Sequence, residues 1–134
     1  MGLSGRLRPG LKGELEAEGL ILLEEGLKAR VRYKHFKAPG KRFHGKVTGE
    51  RVGLGISRER LVVYCRWGFA KLIDTPFASE RLELLEVAVG EQDAVEFHID
   101  YDRAEVPKVS GQITIEVHAP DAHRVVREIE ARRG

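Results

Sequence analysis

From Leu27 to Lys34 the chain alternates without a break: Leu27, Ala29, Val31 and Tyr33 are apolar or aromatic, and Lys28, Arg30, Arg32 and Lys34 between them are basic. A helix would scatter those two sets around its axis, whereas a strand sends them to opposite faces. The segment is therefore expected to be a strand with one face buried and the other cationic. The same period returns where Val95, Phe97, Ile99 and Tyr101 alternate with Glu96, His98, Asp100 and Asp102. It changes near the end. Ala122, Val125, Val126 and Ile129 stand at helical spacing behind Pro120 and Asp121, with Asp121 as N-cap and Arg132 and Arg133 where a helix dipole favours cations.

Turn residues divide the rest. Leu11 and Leu15 after Pro9 predict a short helix that Gly19 stops. Ala38-Pro39-Gly40 is a turn, with a return strand over about 42–48 and a short strand through Val52, Leu54 and Ile56. Ser57-Arg58-Glu59 turns into a strand over 60–67, and Gly68 opens a hairpin into 69–73. Further strands are expected over 82–89, 95–102 and, beyond a loop with Pro107 and Gly111, from Ile113 to Val117. His35 is expected at a strand bulge, and Gly53 and Gly55 at a bulge or barrel corner. The fold class is thus mainly β (α+β): about seven antiparallel strands in a closed or nearly closed small barrel, whose edges a C-terminal amphipathic helix helps to cover. One domain fills residues 1–134, with 1–19 as an N-terminal extension, 20–119 as strands and 121–134 as the closing helix.

Composition excludes several classes. With 42% apolar and 33% charged residues the chain can form a core and is not of disordered type. Its longest purely aliphatic run, Leu20 to Leu23, is far below the ~20 residues of a membrane span. The opening MGLSGRLRPG lacks the apolar centre of a signal peptide, and Arg6 stands where a myristoylation signal carries Ser or Thr. Cys65 is the one cysteine, so no internal disulfide forms, and a reducing, cytoplasmic setting is expected.

Net charge is +2, yet residues 28–46 alone carry eight lysines and arginines and no carboxylate. That asymmetry implies an anionic partner or pairing with acids elsewhere in the fold.

Three stretches and the closing helix carry a resemblance: GLGISRERLVVY (53–64), KLIDTPF (71–77), LELLEV (82–87) and the segment from Asp121. Their order resembles the pleckstrin-homology-like superfold, in particular bacterial and GRAM-type members, over about residues 20–134. The closing helix has no tryptophan, the only one being Trp67, which places the likeness with the divergent bacterial branch. The resemblance implies a non-enzymatic binding module whose first hairpin supplies cations for anionic lipid headgroups. Lys34 or Lys37 would fill the first basic position and Arg42 the second, while His44 stands where the pattern has arginine.

The anionic-ligand set expected on this reading is Arg32, Lys34, Lys37, Lys41, Arg42, His44 and Lys46, joined by Arg66, Trp67 and Lys71 from the next hairpin, which is expected to open toward the same end. Cations with aromatic rings suit a membrane interface, which would make the protein peripheral at the inner membrane face. Arg103 and Lys108 are expected to border the site. Against this stands the alternative that Lys28, Arg30 and Arg32 form a solvated face or pair with acids such as Glu83 and Glu86. A protein partner or homo-oligomer using sheet edges or the last helix is the other function class, and the acidic remainder of the chain weighs against nucleic acid.

Catalytic and metal signatures are thin. Gly40-Lys41-Arg42 lacks the Ser/Thr of a phosphate loop, and Gly53-x-Gly55 leads into a strand rather than a helix. Cys65 falls in line with Leu61 and Val63 and is expected to be a buried, inert thiol. His98, Glu116 and His118, near Glu96, Asp100 and Thr114, could hold zinc only if the strand register brought them together. No enzyme activity and no cofactor are expected.

Overall fold

The computed structural model describes residues 9–45, 47–65, 70–104 and 107–133. Helix α1 (Pro9–Ala17) precedes β1 (Leu20–Ala38), β2 (Lys41–Phe43), β3 (Val47–Ser57), β4 (Arg60–Cys65) and β5 (Ala70–Pro76). A 3-10 turn at Glu80–Leu84 leads to β6 (Leu85–Val89) and β7 (Val95–Asp100). The single turn α2 (Tyr101–Ala104), β8 (Ser110–Val117) and α3 (Ala122–Arg132) follow. The strands form one antiparallel eight-stranded sheet, curled into a half-barrel, in the order β5-β4-β3-β1-β8-β7-β6, with β2 paired to the far end of β1.

The half-barrel follows from the alternation. Ala29 and Val31 of β1, Leu54 and Ile56 of β3, Leu61 and Val63 of β4, Phe97 of β7 and Ile115 and Val117 of β8 all face inward and are buried. Helix α3 supplies Ala122, Val125 and Ile129 to that core, and Asp121 caps it by accepting from the Arg124 amide at 3.1 Å. At its other end the Arg133 guanidinium donates to the carbonyls of Leu82 and Leu85, at 3.2 and 2.6 Å. Those contacts fasten the helix over the gap between the two outermost strands, where Leu82 is buried and Phe77 packs on the core.

A second core lies on the outside of the sheet. Val62 and Tyr64 of β4 point away from the barrel and are buried with Leu11 and Leu15 of α1. Their cross-strand partners are Gly55 and Gly53, so β3 raises no side chain beneath the helix. Strand β4 is consequently buried on both faces. A polar knot closes the edge of this layer. Arg60 donates to Glu18 Oε1 at 3.0 Å, to Glu14 Oε2 at 3.1 Å and to Asp74 Oδ1 at 3.2 Å. Tyr64 donates to Asp74 Oδ2 at 2.7 Å, and the fully buried Ser57 hydroxyl donates to Glu18 Oε1 at 2.8 Å while accepting from the amides of Glu59 and Arg60. Burial works against the Arg60 charge, but the hydrogen bonds to Glu18 and Glu14 and the charge of Asp74 outweigh it and raise its pKa.

Several expectations need correction. The two strands expected over 42–48 and through Val52 to Ile56 divide elsewhere: β2 stops at Phe43, Gly45 at φ 70° interrupts the ladder, and β3 then runs unbroken from Val47 through Gly53 and Gly55. The bulge lies on β1 between Glu24 and Leu27, opposite Gly53. Residues 82–84 are a 3-10 turn rather than strand, because Leu82 turns inward to fill the gap. Strand β7 ends at Asp100, whose Oδ1 accepts from the amides of Asp102 and Arg103 at 3.0 and 3.3 Å and starts a helical turn. The helix stop at Gly19 (φ 86°), the bulge at His35 (φ 50°) and the burial of Cys65 are as expected.

Gly111 stands where two backbones approach closely. At φ 90°, a Cβ there would lie 2.3 Å from the His35 carbonyl oxygen, inside the β1 bulge. Gly111→Ala is expected to lower stability by about 3 kcal/mol in urea melts, against about 1 kcal/mol for Gly40→Ala, which shares the positive φ without the contact. Arg60→Leu leaves three carboxylates without their common partner. It is expected to cost about 2 kcal/mol in thermal unfolding.

Candidate functional site

The longest strand sets the geometry of the cationic segment. Lys28, Arg30, Arg32 and Lys34 are all exposed, and Ala29 and Val31 between them are buried. Past Lys34 a simple alternation would turn the next lysine inward, but His35 is an extra residue. Lys34 opposes Gln112 and Lys37 opposes Ser110, so three residues on β1 match two on β8. Lys37 therefore returns to the outer face. Arg42 is its partner on β2, and Arg51 is the partner of Lys28 on β3. Directly paired residues share a face, so seven cations (Lys28, Arg30, Arg32, Lys34, Lys37, Arg42 and Arg51) lie on one outer surface, with those along β1 about 6.6 Å apart.

An aromatic cluster stiffens the far end of this surface. Tyr33 lies 5.5 Å from Phe36 and 5.0 Å from Phe43, ring centre to ring centre, and Tyr101 of α2 lies 5.8 Å from Phe36. Burial, and for Tyr33 also the charge of Glu50, raises the pKa of Tyr33 and Tyr101 above the ordinary phenol value, so both stay neutral. His44 does not join the cations as a stand-in for arginine. Its ring stacks on His35 at 4.2 Å and its Nδ1 accepts from the His35 amide at 3.3 Å, so it completes the bulge.

Neutralisation is sparse. Arg32 forms an ion pair with Glu116 of β8, and Arg51 donates to the Gly26 carbonyl at 3.1 Å. Among the described residues, Lys28, Arg30, Lys34, Lys37 and Arg42 have no ion pair. The expected pairing with Glu83 and Glu86 does not occur, because β6 lies three places from β1 in the sheet; Glu86 instead meets Arg103 at 3.7 Å. That contact removes Arg103 from the border of the site. Lys108, at φ 62°, does stand there, lining a shallow pocket of about 530 Å³ with Lys37, Pro39, Gly40 and Ser110.

Lys46, Arg66 and Trp67 lie outside the described residues, as do the side chains of Lys41 and Lys71. The strand ends that flank the second hairpin, Cys65 and Ala70, are level with Val52 and Leu27, eleven residues along β1 from Ala38 at the first hairpin's tip. The candidate metal ligands are not brought together. His98 Nδ1 is 2.9 Å from Thr114 Oγ1, Glu116 is held by Arg32, and His118 stands beyond the end of β8, its amide donating to the Lys28 carbonyl at 2.9 Å. Among the described residues no group of three or more His, Cys, Asp and Glu side chains is placed to hold a metal ion.

Arg51 and Gly49 belong to the surface but were not singled out in the sequence. The available signal was the period-2 spacing of Val47, Gly49 and Arg51, which the glycine hides as a turn residue. Searches against protein-family models, curated proteins and solved structures find no match.

If the aromatic cluster holds the hairpin, Phe36→Ala should speed amide exchange first and most over residues 33–43. Leu54, Ile56 and Val63 should keep their protection, a pattern readable by hydrogen-exchange mass spectrometry.

Proposed function

We propose that this chain is a non-enzymatic binding module, similar to pleckstrin-homology-like domains, that docks on anionic lipid headgroups through the outer face of its first hairpin. The observation that carries the reading is the row of cations along β1, β2 and β3, of which only Arg32 is neutralised by a carboxylate among the described residues. Val47, the large hydrophobic side chain exposed at 53%, sits directly opposite Arg32 in the same surface and supplies an apolar contact among the charges. On the other side of Glu116 the outer face turns acidic with Glu96, Asp100 and Glu86, so the sheet is polarised across its width and would orient toward a negative surface.

The magnitude is modest. Cations at an anionic surface contribute about 1 kcal/mol each, so four engaged at once give roughly a thousandfold, reversible and sensitive to salt. Docking of this kind is peripheral, and no helix among the described residues is long and apolar enough to cross a membrane.

A second reading, self-assembly or protein binding by strand addition, is favoured by the two outermost strands. Strands β5 and β6 end the sheet, and half-buried Val87 and Val89 lie on β6. Native mass spectrometry separates the readings: a monomer that binds vesicles supports the first, and a dimer indifferent to lipid supports the second.

The direct test is co-sedimentation with phosphatidylcholine vesicles with and without phosphatidylserine. Binding is expected only to the anionic vesicles, falling steeply with salt, and Lys37→Glu with Arg42→Glu should lower it by about a hundredfold or more. Equal binding to neutral vesicles, or no loss in the double variant, overturns the proposal. Tighter binding to an oligonucleotide than to vesicles at the same ionic strength would overturn it as well.

A further inference from the structure

The cationic surface is not uniform. At the end away from Lys37 and Arg42, a shallow pocket of about 400 Å³ opens among Lys28, Arg30, Arg51 and His118, with Gly49 and Glu50 also in its lining. Gly49 pairs with Arg30, and Arg51 two residues on pairs with Lys28, so the glycine sits in the outer row with basic side chains on both sides. A Cβ built on Gly49 meets nothing within 4 Å, so the depression exists because a side chain is missing from that row. The φ of Gly49 is not in the left-handed region, so the backbone does not require glycine there.

We infer that this pocket is a seat for a phosphate monoester, an inference that rests on the anionic docking proposed above and names its specific ligand chemistry. Lys28, Arg30 and Arg51 line the depression against a single carboxylate, Glu50. Glu116, across from Arg30, is engaged by Arg32, whereas Glu50, which pairs with Ala29 and whose charge acts on Tyr33, also lines the pocket. Three cations against Glu50 leave an excess of two positive charges, which suits a dianion rather than the single charge of a phosphodiester.

Geometry narrows the class further. Arg51 is anchored through Nη1 to the Gly26 carbonyl, which leaves its Nε and Nη2 protons for an oxyanion, and Arg30 offers a second planar fork. The His118 amide is tied to the Lys28 carbonyl, which keeps the imidazole at the rim as a further polar group. No Phe, Tyr or Trp lines the pocket, so it offers no broad platform for stacking a nucleobase. Its volume lies at the small end of ligand sites. A phosphate monoester on a short polar stem fits, either as the headgroup of a lipid such as phosphatidic acid or as a soluble ester of the same chemistry.

The full chain is titrated with vesicles containing phosphatidic acid and with phosphatidylserine vesicles matched in surface potential. It is titrated separately with soluble glycerol 3-phosphate while the Gly49 and Arg51 amide resonances are followed. The expected result is a preference of about tenfold for phosphatidic acid, equivalent to about 1.4 kcal/mol. Gly49→Val, which fills the depression and removes no charge, should bring the phosphatidic acid affinity down to that for phosphatidylserine. Arg51→Gln should abolish the preference too, and it keeps the test valid if the valine variant does not fold. Shifts of the Gly49 and Arg51 amides with glycerol 3-phosphate alone identify a soluble ester as a sufficient ligand. Shifts with phosphatidic acid vesicles only identify the lipid headgroup. Equal binding to both vesicles by the unmodified chain, or a preference that survives in a folded Gly49→Val, overturns the seat while leaving general anionic docking in place. No binding to any anionic vesicle, with no shift from glycerol 3-phosphate, overturns both.

Discussion

Strand β1 forms ladders with β2, β3 and β8, so the register of the whole sheet is referred to one nineteen-residue segment. A strand that long cannot stay in step with a curled sheet unless it absorbs the mismatch, and β1 does so by irregularities at Leu20–Leu22, at Glu24–Leu27 and at Lys34–Lys37. The last of these matters most for chemistry. Without the bulge at His35, strict alternation would turn Lys37 inward and the cationic row would lose its far end. The bulge in turn depends on Gly111, whose missing side chain lets β8 pass against the His35 carbonyl. Fold and surface chemistry thus share one backbone irregularity.

The other half of the molecule is organised around two-sided burial. The half-barrel holds α3 against its inner apolar face, and α1 covers its outside over β4. An edge made of one arginine and three acidic side chains fastens the outer helix, so the contact is specific in place as well as apolar in bulk. The cationic row faces outward along the part of β1 that α1 does not cover, because α1 packs on Leu20 and Leu23 at the other end of the same strand.

Much of this was legible in the residues. Alternation over Leu27–Lys34 and Val95–Asp100 located the two strands most important to the sheet, and helical spacing over Ala122–Ile129 located the inner helix, because burial on one side writes its period into the sequence. Where burial is two-sided the period disappears. RLVVYC gives no alternation, so the outer core of Val62 and Tyr64 with Leu11 and Leu15 could not be read, and the role of Arg60 stayed hidden. The stretch LELLEV looked like strand because residue type does not distinguish a turn that drops one leucine into a gap from a strand that alternates. Among the cations, alternation gave a common face, but pairing is a matter of strand order. Glu116 meets Arg32 because β8 adjoins β1, a long-range fact that local sequence does not carry.

The polar knot at Arg60 bears on how this chain tolerates shortening. A version starting at Leu20 would keep every strand, and on secondary structure alone would look like the minimal folding unit. It would lose Glu14 and Glu18, leaving Asp74 as the only one of the three counter-ions, and it would bare Val62 and Tyr64 on a strand second from an open edge. An apolar strip beside unsatisfied backbone groups is a template for intermolecular sheet growth. The first helix is in that sense a built-in guard against aggregation, held in place by charge so that it does not have to rely on its two leucines alone.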